Sequence, residues 1–497
     1  MAKQVAEARA NVVVKSGELF GKSALGWPNV DVTSVEYDSR KVTPGACFVA
    51  LKGFSTDGRL FVGDAVSRGA SVIVTEGDAS VDGGDIPVVR VSDVRKELGV
   101  LSAKFYGNPS KKLGVVGITG TNGKTTTSYM IQKIFNDAGF QASRFSTTDY
   151  DFPDGSLPAP NTTPQSADLQ KMFARAVGFS RPRCVMEVSS HGLSLDRLEG
   201  TTFKGAVFTN LTQDHLDFHG TMAKYEEAKR RLFTEFENEY AVINIDDPAG
   251  ARFVSGGVKG KVITFGSAPS ATVGLLDFST GLSGSRVKLA TPAGEVALNL
   301  SMPGGHNVQN AMAAFAVGIA EGIAVPTIVG ALESLKSVPG RFERVDEGQN
   351  FGVIVDYAHT DDALAKVLKT ARNITKNRLI CLFGCGGDRD HGKRPLMGKI
   401  SAELADVVVV TSDNPRTESP SAIIAEILNG VPCEKSKNVV VVEGREAAIN
   451  AAVEMAREGD TILLAGKGHE DYQIIGREKF PFDDRKIAAK AVRRRLG

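Results

Sequence analysis

The segment Gly117-Ile118-Thr119-Gly120-Thr121-Asn122-Gly123-Lys124-Thr125-Thr126-Thr127 constrains this chain more than any other. The apolar run 115–118 precedes it, and Met130, Ile131, Ile134, Phe135 and Ala138 follow at helical spacing until Gly139. The pattern predicts a strand, a glycine turn and a helix that ends at Gly139. Glycines let backbone N–H groups approach phosphate oxygens, and a helix N-terminus adds partial positive charge. Lys124 is placed to reach the terminal phosphates, and Thr125 to offer its hydroxyl to Mg²⁺. One departure from the general phosphate-loop pattern stands at Ile118, where a strict match has glycine. The competing reading is a plain glycine turn with a solvated lysine. Loop, lysine, hydroxyls and flanking elements together favour a nucleoside triphosphate, and leave the reaction open.

At 497 residues the chain is too long for one ordinary core. Residues 1–112 carry short β-branched runs, such as 47–51 and 71–75, between Gly- and Asp-rich turns. From 113 the runs 115–118, 184–188, 206–211 and 241–245 alternate with helical stretches, which argues for a mostly parallel sheet covered on both faces. A Gly/Ser-rich, β-leaning section follows over about 255–300, then a helical stretch from His306. Beyond Pro339-Gly340, the runs 353–355, 379–383, 407–410, 439–442 and 461–465 predict a second doubly wound sheet. The expected fold class is α/β in three domains, 1–112, 113–339 and 340–497.

Lys+Arg of 59 against Asp+Glu of 58 leaves a net charge of +1, so a polyanion partner such as nucleic acid is not expected. The late basic residues Lys490, Arg493, Arg494 and Arg495 read as the wet face of a terminal helix. Five scattered cysteines make no disulfide framework, and Cys381 with Cys385 lacks the second pair of a zinc site. A reducing compartment fits. Without a leader pattern or an apolar span of about 18 residues, a cytoplasmic location with no membrane association is expected.

Downstream of the loop, Glu187 lies inside an apolar strand before Val188-Ser189-Ser190-His191-Gly192. A buried carboxylate needs a partner, either a metal ion or a cation such as arginine. Asp214-His215-Leu216-Asp217 leaves another strand, and His215 reads equally as a ligand completing an Mg²⁺ shell or as a capping or core histidine. On the helix after it, Lys229 edges the apolar stripe of Tyr225, Ala228, Leu232, Phe233 and Phe236. A snorkelling stem is one explanation. The other is a desolvated amine of lowered pKa, open to carbamylation by CO₂.

These motifs, in this order along nearly the whole chain, resemble the Mur ligase family, and within it the branch that adds the third residue of the stem peptide. The resemblance implies an N-terminal UDP-binding domain, a central ATPase domain and a C-terminal Rossmann-like domain for the incoming amino acid. It implies ATP-phosphate contacts from Thr121, Asn122, Gly123, Lys124, Thr125, Thr126 and Thr127. It makes Glu187 and His215 Mg²⁺ ligands, with Lys229 carbamylated to help hold a second Mg²⁺. Tyr37 and Ser39 match uridine-side positions of a UDP-muramyl-peptide site. Asn161, Thr162, Thr163, Ser189 and Arg197 match contacts to the rest of that substrate. Leu195 departs from the family, which commonly carries glutamine there. His306, Asn307 and Asn310 resemble the adenine-side segment, and Arg341 a further nucleotide contact.

In the last segment, Gly384-Cys385-Gly386-Gly387-Asp388-Arg389 lacks dinucleotide-loop spacing. The resemblance assigns Arg389 to a substrate carboxylate, and Asp413-Asn414-Pro415-Arg416 matches the signature of diaminopimelate-adding members. Diaminopimelate is lysine with a second carboxylate, which a planar guanidinium holds bidentately. Pro415 restrains the turn. Gly466 and Glu470 match the remaining contacts, Glu470 suiting the distal ammonium. The implied reaction forms an acyl phosphate on the D-glutamate of UDP-N-acetylmuramoyl-L-alanyl-D-glutamate, which the amine of meso-diaminopimelate then attacks. A monomer is expected. The alternatives are an L-lysine-adding ligase of the same family and a non-catalytic scaffold.

Overall fold

The computed structural model describes residues 12–21, 29–53, 56–77 and 81–497. They form two compact units, one from the described residues of 1–273 with 313–328, the other from 274–312 with 329–497.

In the first unit, β1 (Ser34–Glu36), β2 (Ala46–Val49), β3 (Val72–Glu76) and β4 (Val88–Val91) pair in parallel in chain order. The helix Val94–Phe105 starts on Asp93, whose carboxylate accepts from the N–H groups of Arg95 and Lys96. Its Leu98, Leu101 and Phe105 share a core with Ala167 of the helix Ser166–Ala176, so packing continues past residue 112.

The larger sheet of this unit uses β5 (Val115–Thr119), β6 (Gln141–Phe145), β7 (Asp149–Phe152), β8 (Gly155–Pro158), β9 (Pro182–Glu187), β10 (Gly205–Phe208), β11 (Tyr240–Asn244) and β12 (Lys261–Gly266). Their order is β8-β7-β6-β9-β5-β10-β11-β12, with β7 and β8 antiparallel and the rest parallel. Every residue of β5, β10 and β11 is buried, as strands covered on both faces require. Because β5, β6, β9 and β10 are parallel, the segments after them emerge at one edge, where such sheets place their ligands. The expected strand 206–211 stops at Phe208. Beyond it the backbone turns to serve the glycine loop, the Asn210 carbonyl accepting from the Thr121 N–H at 2.9 Å.

In the second unit, β13 (Val273–Gly281), β14 (Gly284–Thr291) and β15 (Gly294–Leu300) form an antiparallel meander, matching the β-leaning section. The helix Gly305–Ala320 follows, its residues 305–312 counted in this unit and 313–320 in the first. A sheet of β16 (Glu343–Arg344), β17 (Gly352–Asp356), β18 (Leu379–Phe383), β19 (Val407–Val410), β20 (Val439–Val441) and β21 (Thr461–Ala465) runs in the order β16-β17-β21-β18-β19-β20. All but the short β16 are parallel. Helices Asp361–Ile374, Lys393–Leu404 and Pro420–Leu428 supply one core, and Arg445–Met455 with Asp484–Leu496 the other. This is the doubly wound α/β arrangement expected from the alternating pattern. A hairpin, β22 (Tyr472–Ile475) with β23 (Glu478–Pro481), follows the last sheet strand.

Arg493, Arg494 and Arg495 are exposed on the terminal helix, and all five cysteines are free. Among the described residues, no helix is long and apolar enough to cross a membrane.

Candidate active site

The loop after β5 is held open by glycine. Gly120 has φ of +150°, and a Cβ there would fall 1.9 Å from the Thr209 Oγ1, so no side chain fits. Gly123 (φ +88°) precedes the helix Lys124–Asp137 without a side-chain cap, which leaves the helix N-terminus to an anion. Thr125, Thr126 and Thr127 are buried in its first turn. Lys124 Nζ donates to the Gly120 and Thr121 carbonyls at 2.9 and 2.8 Å. Thr121 Oγ1 lies 3.1 Å from the Tyr225 hydroxyl, and Asn122 N–H donates to Asn210 Oδ1 at 2.9 Å.

Lys229 is 1% exposed, deeper than an edge position on its helix suggests. Its Nζ donates to the Gly120 carbonyl at 2.9 Å and sits 4.4 Å from the Tyr225 ring centroid. Burial, and then the positive charge of Lys124, push its pKa well below the ordinary lysine value. At this depth the snorkelling reading has no support.

Glu187, at the end of β9, is 1% exposed. Its hydrogen-bond partner is Thr147, not an arginine. Thr147, just past β6, donates its N–H to Oε1 at 2.9 Å and its hydroxyl to Oε2 at 3.1 Å. His215 begins the short helix Leu216–His219 in a left-handed conformation (φ +51°), with its ring edge-on to His191 at 4.8 Å. It caps nothing through its side chain. Partial desolvation, with Lys124 and Lys229, lowers its pKa, and burial takes His191 down to about 4. Both rings are therefore neutral at pH 7 and able to act as ligands.

The Ser189 and Thr163 side chains meet at 3.0 Å, and Thr163 Oγ1 also donates to the Glu187 carbonyl. Arg197 donates to the Thr163 carbonyl at 3.0 Å. Thr162 and Thr147 hydroxyls are 3.1 Å apart, while the Asn161 carbonyl accepts from the Tyr150 hydroxyl. Tyr37 donates its hydroxyl to Asp168 Oδ2. Ser39 is buried beside Asp64, and Leu195 ends the short helix Ser190–Ser194 half-buried.

In the second unit, Asn307 and Asn310 are buried near the start of the helix Gly305–Ala320, 3.4 Å apart, and His306 is exposed. Arg341 lies over the Tyr357 ring at 5.0 Å. The ends of β18, β19 and β21 gather the remaining residues. A Cβ on Gly386 would lie 3.0 Å from Arg416 Nη1 and within 3.8 Å of Arg389 Cγ and the Asn414 carbonyl oxygen, so these three surround one point. Arg416 takes φ of +52° after Pro415, and its Nη1 donates to the Gly387 carbonyl at 2.8 Å. Asn414 Nδ2 donates to Glu470 Oε2 at 2.9 Å. Gly466 (φ +112°) brings the chain against Asp413, whose Oδ2 would lie 2.8 Å from a Cβ there.

Three family models match the sequence: the Mur ligase family catalytic domain over 31–106, the Mur ligase middle domain over 118–318, and the Mur ligase glutamate ligase domain over 340–468. A UDP-N-acetylmuramoyl-L-alanyl-D-glutamate–2,6-diaminopimelate ligase of Geobacillus kaustophilus (strain HTA426) is 45% identical, covering 94% of this chain and 96% of its own. The chain belongs to the Mur ligase family. A Geobacter metallireducens (strain ATCC 53774 / DSM 7210 / GS-15) ligase of the same name is 44% identical, with 97% of each sequence covered. A solved structure bearing that name superposes with a TM-score of 0.71 at 32% identity, over 98% of this chain and 100% of its own. MurF from Thermotoga maritima in complex with ADP shares the fold, with a TM-score of 0.61 at 19% identity, over 93% of this chain and 96% of its own.

Seen as a Mur ligase, the chain holds functional candidates that sequence reasoning passed over. Thr147 grips Glu187 from just past β6, whose residues Gln141-Ala142-Ser143-Arg144-Phe145 form no apolar run that would mark it. Asp168 pairs with Tyr37 from 131 residues away, a contact with no local signal. Lys467 is fully buried, with Nζ 3.0 Å from Glu470 Oε2 and 3.2 Å from Asn414 Oδ1. A lysine between two glycines directly after a buried strand was the available signal.

Proposed function

We propose that this Mur ligase adds meso-diaminopimelate to the D-glutamate of UDP-N-acetylmuramoyl-L-alanyl-D-glutamate, with ATP cleaved to ADP and phosphate. The observation that carries the amino-acid assignment is the approach of the Arg416 guanidinium, the Arg389 stem and the Asn414 carbonyl to one point at Gly386, with the Asn414 side chain bound to Glu470. Guanidinium groups suit the distal carboxylate and Glu470 the distal ammonium, and Asp413 and Gly466 shape the turns that carry them. Relatives at 43–45% identity bear the name of a 2,6-diaminopimelate ligase, which supports the same reading.

The division of labour follows the chain: 1–112 for the UDP end, 113–339 for ATP, and 340–497 for the amino acid. Tyr37 and Ser39 serve the uridine side. Asn161, Thr162, Thr163, Ser189 and Arg197 serve the muramyl peptide, with Leu195 replacing a polar contact by an apolar one. Residues 121–127 bind the nucleotide phosphates. The D-glutamate carboxylate attacks the ATP γ-phosphorus, ADP leaves, and the amine of the incoming amino acid attacks the acyl carbon to expel phosphate. Lys124 and the loop N–H groups neutralise charge as carboxylate approaches triphosphate, so positioning and electrostatics supply most of the rate.

The donor set fits Mg²⁺ once Lys229 is a carbamate. The neutral Nζ attacks CO₂ and loses a proton, turning a donor into an oxygen anion, which would act together with Glu187, His215 and Thr125. Those residues would hold the metal, whose chemistry is charge neutralisation on the phosphates. Among the described residues, no group of three His, Cys, Asp or Glu side chains is placed to hold a metal ion.

Phosphate release with ATP, Mg²⁺ and UDP-N-acetylmuramoyl-L-alanyl-D-glutamate tests the reading, comparing meso-diaminopimelate with L-lysine. Turnover with the former alone is expected. Preference for lysine would overturn the specificity, and silence with both would leave the scaffold reading.

A further inference from the structure

We propose that Lys467 is a positioning residue that sets amino-acid specificity in the second unit, an inference that rests on the ligase reading above. After β21 the left-handed Gly466 turns the chain inward, and Lys467 is 0% exposed. The Glu470 N–H donates back to the Lys467 carbonyl at 2.9 Å, so the turn itself brings the two side chains together. Lys467 Nζ lies 3.0 Å from Glu470 Oε2 and 3.2 Å from Asn414 Oδ1, with the Tyr472 ring at 5.6 Å and the Phe482 ring at 6.0 Å.

Two consequences follow from this geometry. Asn414 Oδ1 accepts from Lys467 and from the Ile474 N–H at 2.9 Å, which fixes the amide with Nδ2 toward Glu470. Lys467 and Asn414 both take Oε2 of Glu470, so the carboxylate is held in one orientation. The second consequence is electrostatic. Lys467 offsets the negative charge of Glu470, Arg416 and Glu470 both act electrostatically on Tyr472, and Asp413 faces Arg445 at 4.0 Å. A lone ammonium, the far end of L-lysine, gains little in that field. A zwitterionic end, ammonium plus carboxylate, is accepted because the arginines hold its carboxylate. Lys467 therefore discriminates by weakening the wrong partner's attraction, which specificity as a difference of affinities requires.

The test compares Lys467→Met and Lys467→Gln in the full chain, with kcat and KM measured for meso-diaminopimelate, L-lysine, ATP and the UDP-linked substrate. Lys467→Met should raise KM for diaminopimelate roughly 10- to 100-fold, the worth of a hydrogen bond to a charged group, with KM for ATP within about twofold. In both variants the kcat/KM ratio of diaminopimelate to lysine should fall. Lys467→Gln, which keeps a donor without the charge, should recover part of the diaminopimelate KM and none of the ratio. If Lys467→Met loses its unfolding transition, Lys467→Gln decides alone. An unchanged ratio, or a KM for ATP rising in step with that for the amino acid, overturns the role of Lys467. A wild-type protein that uses neither amino acid overturns the ligase reading as well, and is told apart by its silence before any substitution.

Discussion

Lys124 and Lys229 donate to the same backbone oxygen, each Nζ lying 2.9 Å from the Gly120 carbonyl. Two ammonium groups on one acceptor repel, and only Lys229 is fully buried, so it is the one that gives up its proton. Its pKa is depressed, so the neutral amine grows as pH rises through that value and disappears below it. With ¹³C-bicarbonate at about pH 8, one carbamate resonance should appear by NMR and vanish in Lys229→Ala or on acidification. That substitution should also cost about 10²- to 10³-fold in kcat, the scale for removing one preorganised electrostatic group. An unchanged spectrum in Lys229→Ala would place the carbamate elsewhere.

Gly120→Ala should abolish ATP binding while leaving the second unit's cores intact. Its Cβ would lie 1.9 Å from Thr209 Oγ1 and 3.1 Å from Asn210 backbone atoms. Thr209 cannot simply rotate away, because its hydroxyl donates to the Asn122 carbonyl at 2.7 Å and helps hold the loop. Calorimetric titration with ATP checks this, and wild-type affinity in the variant would show that the loop has room that these distances deny.

How far the sequence revealed this molecule follows from where the information lies. The buried strands β5, β11, β18, β19 and β21 were legible because parallel strands covered on both faces leave uninterrupted apolar runs. The phosphate loop was legible because glycine, lysine and hydroxyls are contiguous. Run 206–211 was read too long, since Leu211 is apolar while the backbone has already turned to bond Thr121 and Asn122. The depth of Lys229 was underestimated, because helical spacing gives a face and not what packs against it. Thr147 on Glu187 and Asp168 on Tyr37 join positions 40 and 131 residues apart, and spacing within a motif carries no trace of such pairs. The division of the chain at 112 rested on texture, whereas Leu98 and Ala167 share one core.

Arg416→Ala should raise KM for diaminopimelate roughly 10- to 100-fold and leave L-lysine use nearly unchanged, since only the former carries the distal carboxylate. Arg416→Lys should not restore it, because an ammonium cannot present two parallel donors. Steady-state kinetics with both amino acids decide the point. Equal losses for the two would mean that Arg416 acts through its bond to the Gly387 carbonyl, holding the loop instead of the substrate.

Acid should loosen the amino-acid loop before it unfolds the central sheets. Arg394, its side chain 0% exposed, grips Glu418 through two parallel bonds of 2.9 Å, and Glu418 also accepts from the Asp388 N–H beside Arg389. The Arg394 guanidinium holds the Glu418 pKa down to about 2, from an ordinary 4.5. A carboxylate depressed on folding contributes stability above its unfolded value, and that contribution is lost as pH falls from about 4.5 toward 2. Wild-type urea midpoints should therefore fall across that window, and Glu418→Gln should start lower and change less with pH. KM for diaminopimelate should rise in Glu418→Gln at pH 7, because glutamine keeps one oxygen for the Asp388 N–H but turns an NH2 toward Arg394, loosening the loop beside Arg389. A variant whose acid limb matches the wild type would show that Arg394 is satisfied by Glu426, which its Nη1 also reaches at 2.9 Å, and that Glu418 is dispensable to the loop.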